Sequence, residues 1–68
     1  MTTYELISTC NIEWDLCRIV CKATGEILKD YFTRKDFFND NNREVVGWEM
    51  YIYKPDGAIG YITIIIEV

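Results

Sequence analysis

The residue types that most often carry catalysis are scarce in this chain. It contains no histidine, which is the commonest general base and a common metal ligand. Ser8 is its single serine, and no neighbouring base is placed to activate that hydroxyl. A hydrolytic mechanism would depend on carboxylates alone, and no pair of acids stands out by its spacing. The sequence therefore predicts a protein that is not an enzyme and has no catalytic residues.

Three cysteines are the next group with possible chemistry. Cys10, Cys17 and Cys21 follow the spacing C-x6-C-x3-C, which matches no zinc pattern and offers fewer ligands than a structural zinc site uses. If Cys17 and Cys21 lie on one strand, their Cα atoms are about 13 Å apart, too far for a disulfide. We expect reduced core side chains that react slowly, with no metal and no cofactor.

The segment that follows the middle of the chain carries oxygen ligands that a calcium ion could use. Its candidates are Asp36, Asp40, Asn42 and Glu44. The glycine and the ligand spacing of an EF-hand are both missing, whereas Asn and Asp are common where a helix ends in a turn. The pattern favours a polar helix exit over a metal site.

Tyrosines near the C-terminus form the best candidate for a binding surface. Aromatic rows can stack nucleic-acid bases, but such platforms lie in basic grooves, and the charges near these tyrosines are mostly acidic. A helix or the other hairpin could instead cover the rings, and tyrosine is also enriched at protein interfaces. The predicted partner-binding residues are Tyr51, Tyr53, Tyr61, Glu49 and Glu67.

The overall composition is that of one small folded domain covering residues 1–68. Of these 68 residues, 50% are hydrophobic and 26% are charged, and the net charge is −4. An acidic chain without grouped Lys or Arg is a poor nucleic-acid binder. The N-terminus lacks the pattern of a signal peptide, and no stretch reaches the ~18 apolar residues of a membrane span. We expect a cytoplasmic protein that does not bind membranes.

Turn residues and alternation predict a C-terminal hairpin. Lys54-Pro55-Asp56-Gly57 suits a type I turn closed by a glycine bulge. A three-residue loop at that point pairs Trp48 with Ile64 on one face of the sheet and Tyr51 with Tyr61 on the other. The first of these faces is predicted to be deeply buried, through Trp48, Met50, Ile62 and Ile64.

A first hairpin is predicted around the loop Ala23-Thr24-Gly25. Its register gives two opposite-charge pairs of the stabilising kind, Arg18 with Asp30 and Lys22 with Glu26. A helix over residues 11–25 is the alternative that stays open, because its first residue could cap it and its glycine could end it.

The segment between the hairpins predicts a short helix. Thr33 and Asp36 have the spacing of a capping box, and Phe32 and Phe37 have that of a hydrophobic staple. The helix is expected to run for about two turns and to end in the Asn-rich loop. At the start of the chain, residues 2–8 are expected to form an edge strand.

Together these elements predict an α+β fold: a small antiparallel sheet of two hairpins, about 4–5 strands, with one short helix between the hairpins. The expected function is that of a small acidic protein-binding module that acts stoichiometrically, such as an inhibitor or adaptor docking on a basic surface of a larger protein. The first alternative is a self-associating structural subunit, for example a homodimer. A second is a single-stranded nucleic-acid binder that uses the tyrosine face.

Overall fold

The computed structural model describes residues 1–40, 42–53 and 61–68, with the side chains of Asp40 and Tyr53 excepted. Within these residues, short helices and strands alternate in an α+β arrangement, as predicted. In chain order the elements are α1 (Thr3–Ser8), β1 (Leu16–Val20), β2 (Ile27–Tyr31), α2 (Arg34–Asp40), β3 (Gly47–Tyr53) and β4 (Tyr61–Glu67). The predicted turn at residues 54–57 lies outside the described residues.

The strands form one four-stranded mixed sheet in the order β2-β1-β4-β3. Each hairpin is antiparallel, but β1 and β4 run parallel at the centre, from Leu16 beside Thr63 to Val20 beside Glu67. The prediction of a purely antiparallel sheet is therefore wrong. Turn residues mark antiparallel neighbours, whereas a parallel contact between strands far apart in the chain has no such local signal.

Hydrogen bonds, three between main-chain groups and one to a carboxylate, fix both ends of the parallel pairing. Before β1, the Asp15 amide donates to the Ile62 carbonyl (2.8 Å), and the Asp15 carboxylate accepts from the Ile62 amide (2.7 Å). After β1, the Lys22 amide donates to the Val68 carbonyl (3.0 Å), and the Val68 amide donates to the Val20 carbonyl (2.9 Å). These bonds join the two hairpins into a single sheet.

The first hairpin has the predicted register over most of its length. Arg18 pairs with Asp30, and their side chains are joined by bonds from Nε to Oδ1 (2.8 Å) and from Nη2 to Oδ2 (3.1 Å). The register shifts after Ile19, which faces Lys29, because Val20 faces Ile27 and β2 therefore has one extra residue at this bulge. The alternative of a helix over residues 11–25 is wrong.

The turn of this hairpin departs from the prediction because of that shift. Gly25 has a φ of 75°, in the left-handed region that favours glycine. Lys22 Nζ lies 3.3 Å from a carboxylate oxygen of Glu67, so the predicted pairing of Lys22 with Glu26 is wrong. The neighbouring parallel strand supplies the acid in its place.

The second hairpin is offset by two residues from the predicted register. Trp48 faces Ile66 rather than Ile64, and Tyr51 faces Thr63 rather than Tyr61. β3 is described to Tyr53 and β4 from Tyr61, and the predicted three-residue loop between them lies outside the described residues. Because the offset is an even number of residues, every side chain keeps its predicted face.

The first residues form helix α1, so the predicted edge strand is wrong. Thr2 Oγ1 accepts a bond from the Glu5 amide (3.2 Å), and the Thr2 amide donates to the Glu5 carboxylate (3.1 Å), which completes a capping box. The Thr-x-x-Glu spacing is the sequence signal for this cap. A six-residue helix is too short to be stable alone, and burial of Leu6 and Ile7 supplies the remaining stabilisation.

Helix α2 confirms the short helix predicted between the hairpins. The Thr33 hydroxyl accepts a bond from the Asp36 amide (3.1 Å), which is half of the predicted capping box. Phe37 is fully buried, whereas Phe32 is 64% exposed, so the two do not form the predicted staple. Phe37 instead packs edge-on against Tyr31, with ring centroids 5.2 Å apart.

Arg34 joins the two helices. At the start of α2 its positive charge would oppose the helix dipole, but its guanidinium turns back towards the chain that leaves α1. It donates to the carbonyls of Ile7 (3.1 Å), Cys10 (2.6 Å) and Ile12 (3.2 Å). A cation is favourable beside the carbonyl groups at the C-terminal end of a helix, so one side chain fixes the exit of α1 against α2.

The hydrophobic core lies on one face of the sheet. It consists of Leu6, Ile7, Trp14, Cys17, Ile19, Tyr31, Phe37, Ile64 and Ile66. The predicted burial is confirmed for Ile64, while Ile62 is partly buried. It is wrong for Trp48 and Met50, which are 52% and 38% exposed, because β3 is an edge strand and the packed core lies over β1 and β4.

Two isoleucines on neighbouring strands test this placement of the core. Ile64→Ala should lower the free energy of unfolding by about 2–5 kcal/mol, because it leaves a cavity among buried side chains. Ile52→Ala should cost less than about 1 kcal/mol, because Ile52 on β3 is 61% exposed. Urea denaturation followed by tryptophan fluorescence measures both, and equal losses would contradict the one-sided core.

Candidate partner-binding surface

We call the face of the sheet opposite the core the open face. Both helices pack on the other side, and no residue described on this face is buried. Its members are Leu16, Arg18, Val20, Leu28, Asp30, Glu49, Tyr51, Tyr61, Thr63, Ile65 and Glu67. Their side chains alternate along each strand with those of the core. The open face therefore combines apolar, aromatic and charged groups within reach of a partner.

The predicted tyrosines lie at one end of the open face. Tyr51 is 51% exposed and Tyr61 is 43% exposed, and they occupy diagonal positions on β3 and β4 because Tyr51 faces Thr63. Tyr53 stands opposite Tyr61 in the register. Neither helix nor the first hairpin covers the rings of Tyr51 and Tyr61. The structure thus brings these tyrosine positions together on an accessible surface.

Glu49 and Tyr51 are linked on the outermost strand. The Tyr51 hydroxyl donates a hydrogen bond to Glu49 Oε2. This bond and the charge of Glu49 raise the pKa of the Tyr51 hydroxyl, because ionisation would place two negative charges side by side. Tyr51 therefore presents a neutral ring, with its polar end held against an acid.

Glu67 is held across the sheet and does not extend into solvent. Its carboxylate pairs with Lys22 at 3.3 Å. A Cβ added to Gly47 would lie 2.8 Å from Glu67 Oε1, so the absence of a side chain at Gly47 leaves room for this carboxylate. Since Glu67 already has a cationic partner, Glu49 is the acid of the predicted set without a Lys or Arg partner among the described residues.

The Arg18–Asp30 pair lies near the other side of the open face. Each side chain is about one-third exposed, at 34% and 30%. The hydrogen bonds from Arg18 hold the pKa of the Asp30 carboxyl below its usual value, and those same bonds raise the pKa of Arg18. The ion pair is bidentate, so it holds β1 against β2. The two charges cancel, which leaves this part of the surface electrically neutral.

An apolar groove on the helix side of β3 was not predicted from the sequence. Its volume is about 410 Å³, and it lies between the end of α1 and the edge strand. Its apolar lining comes from Leu6, Ile7, Ile12, Trp48, Met50 and Ile64. The apolar character of Trp48 and Met50 was visible in the sequence, but it predicted burial, because only the strand order shows that they are left at an edge.

The cysteines differ more than their spacing suggests. Cys17 is fully buried, and burial raises the pKa of its thiol to about 12. Cys21 is half-buried in the hairpin turn, where hydrogen bonds from the Thr24 side chain and from the Thr24 and Ala23 amides lower the pKa of its thiol. The predicted burial is confirmed for Cys17, whereas Cys21 is only half-buried. Among the described residues, no three His, Cys, Asp or Glu side chains are grouped to hold a metal ion.

Comparisons with protein-family models, with curated proteins and with solved structures each found no match to this chain. In the described part of the chain, neither helix has the length and apolar run needed to cross a bilayer.

Cys17 and Cys21 should differ in their rates of alkylation in the folded protein. Cys21 should be labelled much faster than Cys17 near neutral pH, because only the thiolate reacts and the two pKa values are shifted in opposite directions. Mass spectrometry of peptides after a short native exposure to iodoacetamide measures this order. Equal rates for the two residues would contradict it.

Acid should weaken the contribution of the Arg18–Asp30 pair. The pKa of Asp30 is lowered in the folded state, so the pair stabilises the fold above the unfolded value of about 4, and this contribution is lost as pH falls through the folded value. The difference in urea midpoint between wild type and Asp30→Asn should therefore shrink from neutral pH towards pH ~3. A difference that stays constant with pH would contradict the assignment.

Proposed function

We propose that this chain is a stoichiometric protein-binding module, such as an inhibitor or adaptor, that contacts its target through the open face. The observation that carries the proposal is the one-sided core. An antiparallel hairpin with one face on a core usually presents a polar face to solvent. Here that face holds two half-exposed tyrosines beside Ile65 and Leu16.

The composition of the open face suits a protein partner. Tyrosine combines a large apolar ring with a hydrogen-bonding end and loses little conformational freedom on binding. Tyr51 and Tyr61 stand on paired strands, so their backbone positions are fixed before the partner arrives. Preorganised anchors of this kind reduce the entropic cost of association.

Charge favours a target with a basic surface. The chain carries a net charge of −4, which would speed its encounter with a cationic protein. On the open face, Arg18 and Lys22 are already paired with Asp30 and Glu67. Glu49 is therefore the acid best placed to meet a Lys or Arg of the partner.

Capture from a host-cell lysate followed by affinity measurement tests the proposal. Tyr61→Ala should weaken binding of the captured, purified target by about 1–3 kcal/mol, roughly 5- to 150-fold, in the range of interface hot spots. Tyr4→Ala is the matched control, because Tyr4 is 50% exposed but lies on α1, on the opposite side of the sheet. Glu49→Lys should slow association mainly at low salt.

The proposal fails if Tyr61→Ala binds every captured protein with wild-type affinity. It fails equally if Tyr61→Ala unfolds the isolated chain, because the ring would then be part of the folded core. Loss of binding in Tyr4→Ala alone would move the interface to the helix side.

A further inference from the structure

The two edges of the sheet are built differently. β2 forms one edge, and it is disturbed by the bulge beside Ile19 and by Lys29, whose ammonium lies 5.2 Å from the ring centre of Tyr31. Bulges and charged side chains of this kind discourage the addition of another strand. The edge at β2 is therefore protected.

The edge at β3 lacks these devices. Gly47–Tyr53 pairs with β4 in an unbroken register over seven residues, and its only charged residue is Glu49. Among the described residues, β3 has no strand on its outer side. Its helix-side residues are Trp48, Met50 and Ile52, which are 52%, 38% and 61% exposed. A long, regular and apolar edge is a template for strand addition.

We propose that β3 pairs antiparallel with β3 of a second copy of this chain, which gives a two-fold symmetric dimer with a continuous eight-stranded sheet. A two-fold axis perpendicular to the sheet keeps both cores on the same side. Trp48 and Ile52 of one copy then meet Ile52 and Trp48 of the other, next to the apolar groove. The contact buries side chains that a monomer leaves in water.

The register of this pairing follows from backbone and charge. Alternate residues direct their amide and carbonyl groups outward, so a symmetric pairing joins residues of the same parity. The register that faces Met50 with the second copy's Met50 pairs all of Gly47–Tyr53, and it places Glu49 opposite the second copy's Tyr51. Within one chain the Tyr51 hydroxyl donates to Glu49, and a tyrosine hydroxyl carries a single proton. In this register each Tyr51 can therefore donate to its own Glu49 or to Glu49 of the second copy, and no like charges face each other.

A neighbouring register is excluded by two observations. Sliding the second strand so that Glu49 faces the second copy's Glu49 would oppose like charges. It would also place the second copy's Tyr53 against Val45, whose amide already donates to the Met1 carbonyl (2.8 Å). The N-terminal segment thus occupies the outer side of the chain before β3 and confines a partner strand to Gly47–Tyr53.

Sedimentation equilibrium tests the dimer with a matched pair of variants. Wild type should shift from the 8.0 kDa chain to twice that mass as its concentration rises from about 1 µM to 1 mM. Ile52→Lys should weaken dimerisation by roughly tenfold or more without changing the circular dichroism of the monomer. Ile27→Lys changes an isoleucine that is 51% exposed on β2, the other edge, and should dimerise like wild type.

Disulfide formation tests the register. With Cys10 and Cys21 changed to Ser, Met50→Cys should form an intermolecular disulfide on mild oxidation, because facing Cα atoms of antiparallel strands lie about 4.5–5.5 Å apart. Ile52→Cys should not, because the two substituted positions would be about 13 Å apart along the strands.

A wild-type protein that stays monomeric at about 1 mM would overturn the dimer. So would an Ile27→Lys variant that dissociates as strongly as Ile52→Lys, since the interface would then include the β2 edge. Efficient cross-linking of Ile52→Cys would overturn the register. None of these results affects the role proposed for Tyr61, because that residue lies on the inner strand β4 and on the open face.

Discussion

The parallel pairing of β1 with β4 is the contact on which the rest of the structure depends. It joins two hairpins that would each be marginal alone, and it brings Cys17 beside Ile64 and Ile19 beside Ile66. All four side chains are almost completely buried. Leu6 and Ile7 of α1 belong to the same core as these strands, and Phe37 of α2 joins it against Tyr31 of β2. Arg34 then ties α1 to α2 through backbone carbonyls, which holds the helices together above that core.

Placing the core over the two central strands leaves three unequal surfaces. Among the described residues, the open face has no helix above it; it carries Tyr51 and Tyr61 at one end and the charged pairs towards the other. The β2 edge is irregular and charged, whereas the β3 edge is regular and apolar. A chain of 68 residues can bury only roughly 60% of the surface its unfolded form exposes, so apolar residues beyond one small core remain outside. Several of these exposed apolar residues lie on β3 and on the open face, where a binding partner can cover them.

The acids of the open face differ in whether they are paired with a cation of the same chain. Asp30 and Glu67 are engaged by cations of the chain itself, and exposed pairs of this kind contribute little stability. Their main effect is to order the surface and to cancel its local charge. Among the described residues, Glu49 has no Lys or Arg partner; it lies next to the tyrosines, where the proposed basic partner or a second copy's Tyr51 would reach it. The two proposed interfaces therefore both involve residues of β3, but one covers the open face and the other covers the edge of the sheet.

The sequence by itself determined the local structure. Turn residues and strand periodicity predicted all four strands of the two hairpins, Arg18 and Asp30 marked the first register, and Thr33 marked the start of the middle helix, whereas the edge strand predicted at the start of the chain is a helix. The Thr2–Glu5 cap could also have been recognised. The shared face of Tyr51, Tyr61 and Glu49 also followed from the alternation of the strands, and its role in binding stays a prediction. What only the tertiary structure decided was which strands are central. The β1–β4 contact depends on packing between distant segments, for which no turn or spacing provides a signal. Because of that contact, β3 is an edge strand and Trp48 and Met50 are exposed. The same contact brings Glu67 beside Lys22.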